Sequence, residues 1–372
     1  MKRRQICILI VISLFFTVHA TVAIGQTLAI SASSAIVMDV KTGRVLYKKN
    51  INERKPMAST TKIMTGLLGL EKCSLDKNVK VPKNAVGVEG SSIYLNYDEN
   101  LKMKDLIYGL MLRSGNDAAV AIATHVSGSV EKFAQLMNER AKKLGAKNTN
   151  FVNPHGLHHK DHYTTAYDLA LITREALMNP NFKEVVKTKL WVADREGYKY
   201  FYNKNKTLKQ FDGGDGVKTG YTKVAGRCLV TSATRNGVQL ICVVLNDPNW
   251  FQDSYCLLDV AFDKYTPFSI LKKDAVVKMI DVENGKKNCT GVVSKENIML
   301  PLTEEEKGKI RTVLEIKEIC KAPIKRGQRF GKVKIYLEGD LLYTTDIIAR
   351  EDIEEKDFKD KVWDFVHRKK PI

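Results

Sequence analysis

Three short motifs in this sequence carry side chains that together could perform nucleophilic catalysis. The first is Ser59-Thr-Thr-Lys62, which at a helix start would place a hydroxyl and an amine one turn apart on the same face. A serine hydroxyl needs a base to become a nucleophile, and a lysine can serve when burial and nearby cations keep it neutral. Taken alone, the pattern also fits a capping serine followed by a solvated lysine.

Two further motifs add groups that such a serine would need to act on a peptide. Ser114-Gly-Asn116 offers a second hydroxyl to relay a proton and an amide to hold a substrate carbonyl. Lys218-Thr219-Gly220 offers a cation and a hydroxyl for a carboxylate, and Gly220 lets a substrate backbone approach closely. Each motif alone is compatible with an ordinary turn. All three together, in this order, favour an enzyme that attacks an amide bond with the serine of the first motif.

The elements expected around these motifs are a mixture of strands and helices. Pro56, ahead of a polar cluster and an apolar run at 63–70, predicts a helix that begins near Ser59. Asn236-Gly237 between two β-rich runs predicts a hairpin. We predict strands at 34–40, 43–47, 228–234 and 238–245, and helices at 103–112, 117–126, 167–178 and 253–262. This order predicts an α+β layered domain over residues 26–266.

The last hundred residues have a different pattern. Short β-rich pieces separated by glycine-containing turns predict a small β-rich domain at 267–352. In the tail at 353–372, Phe358, Val362, Phe365 and Val366 form an apolar helical stripe that is followed by a basic cluster at 368–370. This amphipathic tail fits an interfacial helix on a membrane surface and fits equally well a surface helix docked on the β-rich domain.

The N-terminus has the order of a secretory signal peptide. A basic cluster at 2–4 precedes an apolar run at 6–16 and a small-residue segment, which predicts a signal peptide at 1–25. A retained membrane anchor is the alternative. We therefore expect an exported protein at the outer face of the cytoplasmic membrane or in the cell wall. The formal net charge of +18 then suits anionic wall polymers or phospholipid head groups, and export argues against nucleic acid.

Longer segments around the three motifs resemble one enzyme family. The chain resembles the low-molecular-mass penicillin-binding proteins, the serine D-alanyl-D-alanine carboxypeptidases. The resemblance lies in residues 55–65, 90–95, 106–119, 153–157, 165–170 and 214–222. It implies a penicillin-binding/β-lactamase-like transpeptidase domain, in which an antiparallel sheet has helices on both sides and a helical subdomain. The family's small all-β domain and membrane-associating tail fit the rest of the chain more loosely.

The resemblance also implies a role for each residue of the motifs. Ser59 would be the nucleophile and Lys62 its base, and Ser114 would relay the proton to the leaving D-alanine. The substrate-binding residues implied are Asn116, Lys218, Thr219, Gly220 and Tyr221. The N–H groups of Ser59 and Tyr221 would form the oxyanion hole. The implied substrates are peptidoglycan pentapeptide stems, which would lose their terminal D-alanine, and β-lactams would be covalent inhibitors. No metal or other cofactor is implied.

Two departures from the family pattern concern substrate binding. Tyr221 stands where many relatives have histidine, and residues 246–253 lack an arginine that helps some relatives bind the substrate carboxylate. The Asn-Trp-Phe sequence at 249–251 is similar to the sporulation-associated branch.

Several alternative functions remain open on the sequence alone. The same motifs fit a DD-endopeptidase, a weak transpeptidase or a catalytically silent wall-binding protein. A β-lactamase is disfavoured, because we interpret Glu175 as part of an ordinary helical surface rather than as a deacylation base. Four histidines at 155–162 suggest a zinc site, but the loop supplies no carboxylate at a recognised spacing.

Overall fold

The computed structural model describes residues 28–316 and 319–367, and the fold below is that of the unit Ser31–Ile372. The predicted signal peptide at 1–25 and the basic cluster at 368–370 lie outside the described residues. The elements that precede residue 265 are, in chain order, β1 (Ser34–Asp39), β2 (Val45–Lys49), α1 (Lys62–Lys72), β3 (Asn78–Lys80), β4 (Asn100–Lys102), α2 (Met103–Tyr108), α3 (Asn116–Ser127), α4 (Val130–Lys143), α5 (Ala166–Met178), α6 (Pro180–Lys187), β5 (Leu190–Val192), β6 (Tyr200–Tyr202), α7 (Thr207–Gln210), β7 (Gly214–Thr222), β8 (Gly226–Arg235), β9 (Val238–Leu245) and α8 (Trp250–Lys264).

A five-stranded antiparallel sheet forms the centre of this region, with strand order β2-β1-β9-β8-β7. The predicted hairpin turn joins β8 to β9, and both of its residues have positive φ, 49° at Asn236 and 82° at Gly237. Those angles suit a two-residue hairpin turn, because the turn's twist then matches the right-handed twist of the strands. The strand β7 pairs with β8 and is the last strand in this order, so it lies at an edge of the sheet.

Helices cover both faces of this sheet. Every residue of β1 is buried, although strand side chains alternate between faces. Ile36 and Met38 belong to the core that includes α1, α3 and α5. Ala35 and Val37 are equally buried on the opposite face, where α8 packs against the sheet. The predicted α+β class with helices on both sides is therefore confirmed.

The break between α2 and α3 has an unusual backbone. A π-helical turn, Gly109–Arg113, follows α2, and Ser114 then takes the left-handed conformation with φ 67°. A left-handed serine costs conformational energy, which the surrounding packing must offset. The turn reverses the chain, so α3 begins at Asn116 and the Ser114-Gly-Asn116 segment lies between two buried helices.

The rest of the chain forms a β-rich domain followed by one helix, as predicted. Its elements are β10 (Thr266–Leu271), β11 (Val276–Glu283), β12 (Cys289–Ser294), β13 (Ile298–Leu302), α9 (Glu304–Lys307), β14 (Ile310–Ile316), β15 (Ile319–Lys321), β16 (Arg329–Leu337), β17 (Asp340–Ala349) and α10 (Phe358–His367). Six of the strands form one sheet, in the order β14-β16-β17-β12-β11-β15, and β10 pairs with β13 in another.

Polar contacts join this β-rich domain to the turn between β1 and β2. Lys41 Nζ lies 2.8 Å from Glu296 Oε2, and Glu296 Oε1 accepts from the Tyr343 and Thr345 hydroxyls at 2.9 and 3.0 Å. Arg44 forms a two-pronged ion pair with the Glu306 carboxylate. Because Glu296 binds residues of both domains, it fixes the sheet edge against the β-rich domain.

Candidate active site

Ser59 lies in a short 3₁₀ turn, Ala58–Thr61, and α1 begins only at Lys62. The position predicted for the helix start, near Ser59, therefore agrees with the structure, but the first turn is a 3₁₀ turn and so is tighter than an α-helix. Ala58 has φ 47°, a left-handed angle that costs conformational energy in a residue other than glycine. Gly156 packs against this turn so closely that a Cβ there would lie 1.9 Å from the Ala58 carbonyl oxygen.

A buried histidine supports the same turn from behind. The Thr61 hydroxyl donates to the Ala58 carbonyl at 2.8 Å and accepts from His162 Nε2 at 2.8 Å. His162 Nδ1 accepts the N–H of Val152 at 3.1 Å, which fixes the neutral tautomer. Burial is the main cause that lowers the pKa of His162 to about 3, and His155 adds a smaller effect. Among the described residues, no three His, Cys, Asp or Glu side chains are grouped so as to hold a metal ion.

The Lys62 side chain is completely buried and has three polar neighbours. Its Nζ lies 3.1 Å from Ser59 Oγ, 2.6 Å from Asn116 Oδ1 and 2.6 Å from the carbonyl oxygen of His155. The Asn116 amide is held in turn by its Nδ2, which donates to the Glu89 carbonyl. The structure thus brings residues of the first two motifs into direct contact.

Electrostatics at this position favour an uncharged amine. Burial is the main cause that holds the pKa of Lys62 well below its usual value, and the nearby cation Lys218 adds to it. Burial, with a contribution from Lys204, also lowers the pKa of Lys218 to about 7. Asp117 opposes the shift at Lys62, but its carboxylate is already occupied by the N–H groups of a neighbouring loop.

The strand β7 carries the third motif directly past the Ser59 turn. A Cβ at Gly220 would lie 2.9 Å from the Ser59 nitrogen, so only glycine permits this approach. Lys218 is buried and donates to the Thr219 carbonyl at 2.8 Å, whereas the Thr219 side chain is half-buried. Tyr221, which follows Gly220, is 62% exposed. The Ser59 N–H and the end of the third motif therefore lie against each other.

Ser114 is brought near the site without a direct contact to it. The residue is 5% exposed and lies two positions before Asn116. Within residues 28–316 and 319–367, its hydroxyl makes no hydrogen bond with Ser59, Lys62 or Lys218. Catalytic hydrogen bonds are often completed only when substrate is bound.

The segment 246–253, which lacks an arginine, holds buried carboxyl groups instead. The Ser31 hydroxyl lies 2.5 Å from Asp247 Oδ1 and 2.8 Å from Asp253 Oδ2. Burial is the main cause that raises the pKa of Asp247. These contacts tie the segment to the start of the folded chain, and they explain its acidic composition by a structural role.

Sequence reasoning missed three contributors to this site. The Glu89 and His155 carbonyls bind the side chains of Asn116 and Lys62, but backbone acceptors leave no residue-type signal. Lys204 acts on both buried lysines through its charge, and nothing in its local sequence marks it. By contrast, Glu175 lies at the surface in an ion pair with Arg140, as expected for an ordinary helical surface.

A buried lysine lies in contact with a serine, and the edge strand β7 carries the third motif past them. This combination of motifs is that of penicillin-binding proteins and class A β-lactamases. The chain belongs to the family described as D-alanyl-D-alanine carboxypeptidase, whose model matches residues 20–249. A second model, the C-terminal domain of penicillin-binding protein 5, matches residues 265–355. The predicted family, enzyme class and peptidoglycan-related function are therefore confirmed: the chain is a low-molecular-mass penicillin-binding protein with serine D-alanyl-D-alanine carboxypeptidase relatives.

Individual relatives match over almost their whole length. D-alanyl-D-alanine carboxypeptidase DacF of Bacillus subtilis is 35% identical over 342 residues, 89% of this chain and 88% of the relative. DacC of Escherichia coli is 33% identical over 96% of this chain and 93% of its own. The crystal structure of penicillin-binding protein 5 from Haemophilus influenzae superposes with a TM-score of 0.66 at 29% identity, covering 88% of this chain and 98% of that one.

Proposed function

We propose that Ser59 is the nucleophile of this carboxypeptidase and that neutral Lys62 is its base. The observation that carries the proposal is the set of three neighbours around Lys62 Nζ. A neutral amine has two N–H donors and one lone pair. The donors match the carbonyl oxygens of Asn116 and His155, which leaves the lone pair for the Ser59 hydroxyl proton. A charged lysine would have no lone pair with which to accept that proton.

The reaction then proceeds through an acyl-enzyme. Lys62 takes the proton of Ser59 as Oγ attacks the carbonyl carbon between the two D-alanines, and the N–H groups of Ser59 and Tyr221 stabilise the oxyanion. The C–N bond breaks, and Ser114 relays a proton to the leaving D-alanine amine. Water then attacks the ester under the same base, which releases the shortened stem and restores the serine.

Substrate binding uses the remaining motif residues. Asn116 orients the peptide through its amide, and β7 pairs with the peptide backbone where Gly220 keeps the strand clear of side chains. Lys218 and Thr219 provide hydrogen bonds for the terminal carboxylate. A β-lactam presents a similar carbonyl and carboxylate and should acylate the same serine.

The substrate assignment is tested with purified peptidoglycan fragments. Incubation of muropeptides that carry pentapeptide stems should shorten each stem by one D-alanine, as read by mass spectrometry, and Ser59→Ala should not. Cleaved cross-links without shortened stems would identify a DD-endopeptidase instead. Unchanged muropeptides would identify a catalytically silent wall-binding protein.

The predicted export and domain boundaries belong to the same proposal. Relatives of this family act on the cell wall, which supports export through the predicted signal peptide at 1–25 and a mature protein made of 26–266, 267–352 and 353–372. N-terminal sequencing of the protein from whole cells should give a start close to Gln26. An intact Met1 on the cell-surface protein would favour the retained anchor.

The C-terminal helix α10 is proposed to lie on a membrane surface. Its apolar residues Phe358 and Val362 are 81% and 44% exposed, so the β-rich domain leaves these two positions of the stripe uncovered. None of the helices within residues 28–316 and 319–367 has the length and apolar content needed to cross a bilayer.

This proposal is tested by flotation of residues 26–372 with anionic phospholipid vesicles. The double variant Phe358→Asp and Val362→Asp should lose vesicle binding and keep its activity on a small soluble peptide. Leu341→Asp is the matched control, because Leu341 is a 53% exposed apolar residue of β17 outside the helix. Equal binding by the double variant and the wild type would favour a helix docked on the β-rich domain.

A further inference from the structure

The outward face of the β5–β6 hairpin is apolar, although it is exposed to water. The register pairs Leu190 with Tyr202 and Val192 with Tyr200, and these four side chains are 41%, 58%, 52% and 51% exposed. Because strand side chains alternate between faces, all four lie on the same side of the hairpin and form one continuous surface. A water-facing side of an antiparallel pair usually carries polar side chains, and a continuous apolar patch there is typical of a binding surface.

The inward face of the hairpin already anchors it to the catalytic domain. Trp191 stacks on Tyr108 of α2 with ring centroids 3.8 Å apart, and Trp191 Nε1 donates to Asp105 Oδ1 at 2.7 Å. The side chain of Phe201 is completely buried. The outward side chains are therefore not needed to hold the hairpin in place, and they stand on a rigid support.

The hairpin lies beside a loop that borders the active site. At one end of β6, Lys204 Nζ lies 3.5 Å from the Ser91 hydroxyl oxygen, and the Ser91 carbonyl accepts the N–H of Asn116 at 2.7 Å. At the other end, Tyr198 meets Tyr94 edge to face, with ring centroids 5.2 Å apart. The loop therefore runs alongside β6, and the hairpin flanks the Asn116 side of the active site.

The chemistry of the outward face suits a sugar. A tyrosine ring offers a flat apolar surface to the C–H groups of a pyranose, and its hydroxyl binds sugar hydroxyl and amide groups. Leu190 and Val192 extend the apolar surface beside the two rings. Neither β5 nor β6 contains a charged residue, so the face suits an uncharged ligand with both apolar and hydroxyl surfaces.

The proposed substrate supplies such a ligand at the right distance. Peptidoglycan stems are attached to chains of N-acetylated sugars, and the proposed cleavage leaves four stem residues between the reacting carbonyl carbon and the sugar. An extended chain spans about 3.4 Å per residue, so these four residues reach about 14 Å. Tyr202 lies only two residues, or about 7 Å of extended chain, from Lys204 at the border of the site. A stem bound in the site is therefore long enough to bring its sugar to the hairpin.

We propose that the outward face of the β5–β6 hairpin binds the sugar backbone of peptidoglycan. Tyr200 and Tyr202 stack on the sugar rings, and the stem carried by one of these sugars enters the active site. The inference rests on the proposed function, because it places that stem beside Asn116. It predicts an enzyme that prefers stems attached to glycan over free peptides.

The kinetic test compares a disaccharide that carries a pentapeptide stem with the same pentapeptide without sugar. The double variant Tyr200→Ser and Tyr202→Ser should raise KM on the disaccharide substrate by about five- to a hundredfold, the effect of losing two aromatic contacts, with kcat unchanged. Its kcat/KM on the free pentapeptide should change by less than about twofold. The double variant Tyr200→Phe and Tyr202→Phe should keep most of the preference, because both rings remain. Val276→Ser with Met279→Ser is the matched control, since both are exposed apolar residues of β11 in the β-rich domain.

Direct binding separates this inference from the proposed function. Glycan strands from which an amidase has removed the stems should bind the wild type in isothermal titration calorimetry and should not bind the Tyr200→Ser, Tyr202→Ser variant. This measurement needs no catalysis. A wild type that binds these strands but releases no D-alanine would support the inference and contradict the proposed function.

Four results would overturn the inference. A wild-type KM that is equal on the two substrates would do so without any variant. A serine double variant with unchanged KM on the disaccharide substrate would exclude a role of the two rings. Equal losses on both substrates would show that the tyrosines act only through the loop that holds Asn116. A change from dimer to monomer in light scattering, without a selective loss on the disaccharide substrate, would assign the face to a second copy of the chain.

Discussion

Gly220 offers a sharp test of how closely β7 must approach the nucleophile. In Gly220→Ala the new Cβ would lie 2.9 Å from the Ser59 nitrogen, 3.1 Å from the Thr60 nitrogen and 3.2 Å from the Ala58 Cβ. Ordinary contacts of this kind begin near 3.4 Å. The strand and the Ser59 turn would therefore have to separate by about 0.5 Å. No positive φ is involved at Gly220, so the effect would come from this contact alone.

That separation acts on the proposed oxyanion hole, whose two N–H donors lie on opposite sides of the contact. Loss of one such donor lowers kcat by about 10²–10³-fold, and a displacement of about 1 Å lowers rates by about 10²-fold. For about 0.5 Å we expect acylation to fall by about ten- to a hundredfold. Overpacking of this size should lower the free energy of unfolding by about 1–3 kcal/mol, which leaves the protein folded.

The assay is the second-order rate constant for acylation by a fluorescent penicillin, with a thermal melt to confirm folding. Gly308→Ala is the matched control, because Gly308 has φ −74° and no atom within 4 Å of the added Cβ. A folded Gly220→Ala variant that is acylated at the wild-type rate would refute the claim that this contact sets the geometry of the oxyanion hole.

Four further predictions follow from the same geometry. Lys62→Met should abolish D-alanine release almost as fully as Ser59→Ala in an end-point assay, because the two residues act as one unit. Lys218→Met removes a cation that lowers the pKa of Lys62, so the acid limb of the kcat/KM–pH profile should move to higher pH. Lys218→Ala should lower kcat/KM on the free-acid peptide by about ten- to a hundredfold in steady-state kinetics. Burial holds the pKa of His162 at about 3, below its unfolded value of about 6.5. The unfolding free energy should therefore fall as pH drops from about 6.5 to about 3, because the unfolded state binds the extra proton. In urea titrations at several pH values, His162→Gln should make this fall smaller.

The parts of the fold that the sequence predicted are those with local signals. Asn236-Gly237 predicted the β8–β9 hairpin because both residues tolerate positive φ. The apolar run that follows Ser59 predicted α1, and in the structure the residues of that run pack into the main core. The π-helical turn Gly109–Arg113 was not predictable, because its backbone depends on packing around Ser114 rather than on residue preference.

In the site, too, residues with a local sequence signal were predicted, and contacts that depend on the fold were not. The three motifs identified Ser59, Lys62 and Asn116, whose side chains are in contact in the structure. Sequence could not show that Lys62 has two carbonyl acceptors and one hydroxyl neighbour, since one acceptor is a backbone atom from a distant loop. It also gave no indication of Lys204, whose importance depends on distances across the fold.

The central claim is that Ser59 carries the acyl group. Incubation with penicillin, followed by proteolysis and tandem mass spectrometry, should place a single penicilloyl adduct on Ser59 in the peptide that contains Lys62. The Ser59→Ala variant should remain unlabelled while melting at the wild-type temperature. An adduct on any other residue, or labelling that persists in Ser59→Ala, would contradict the account.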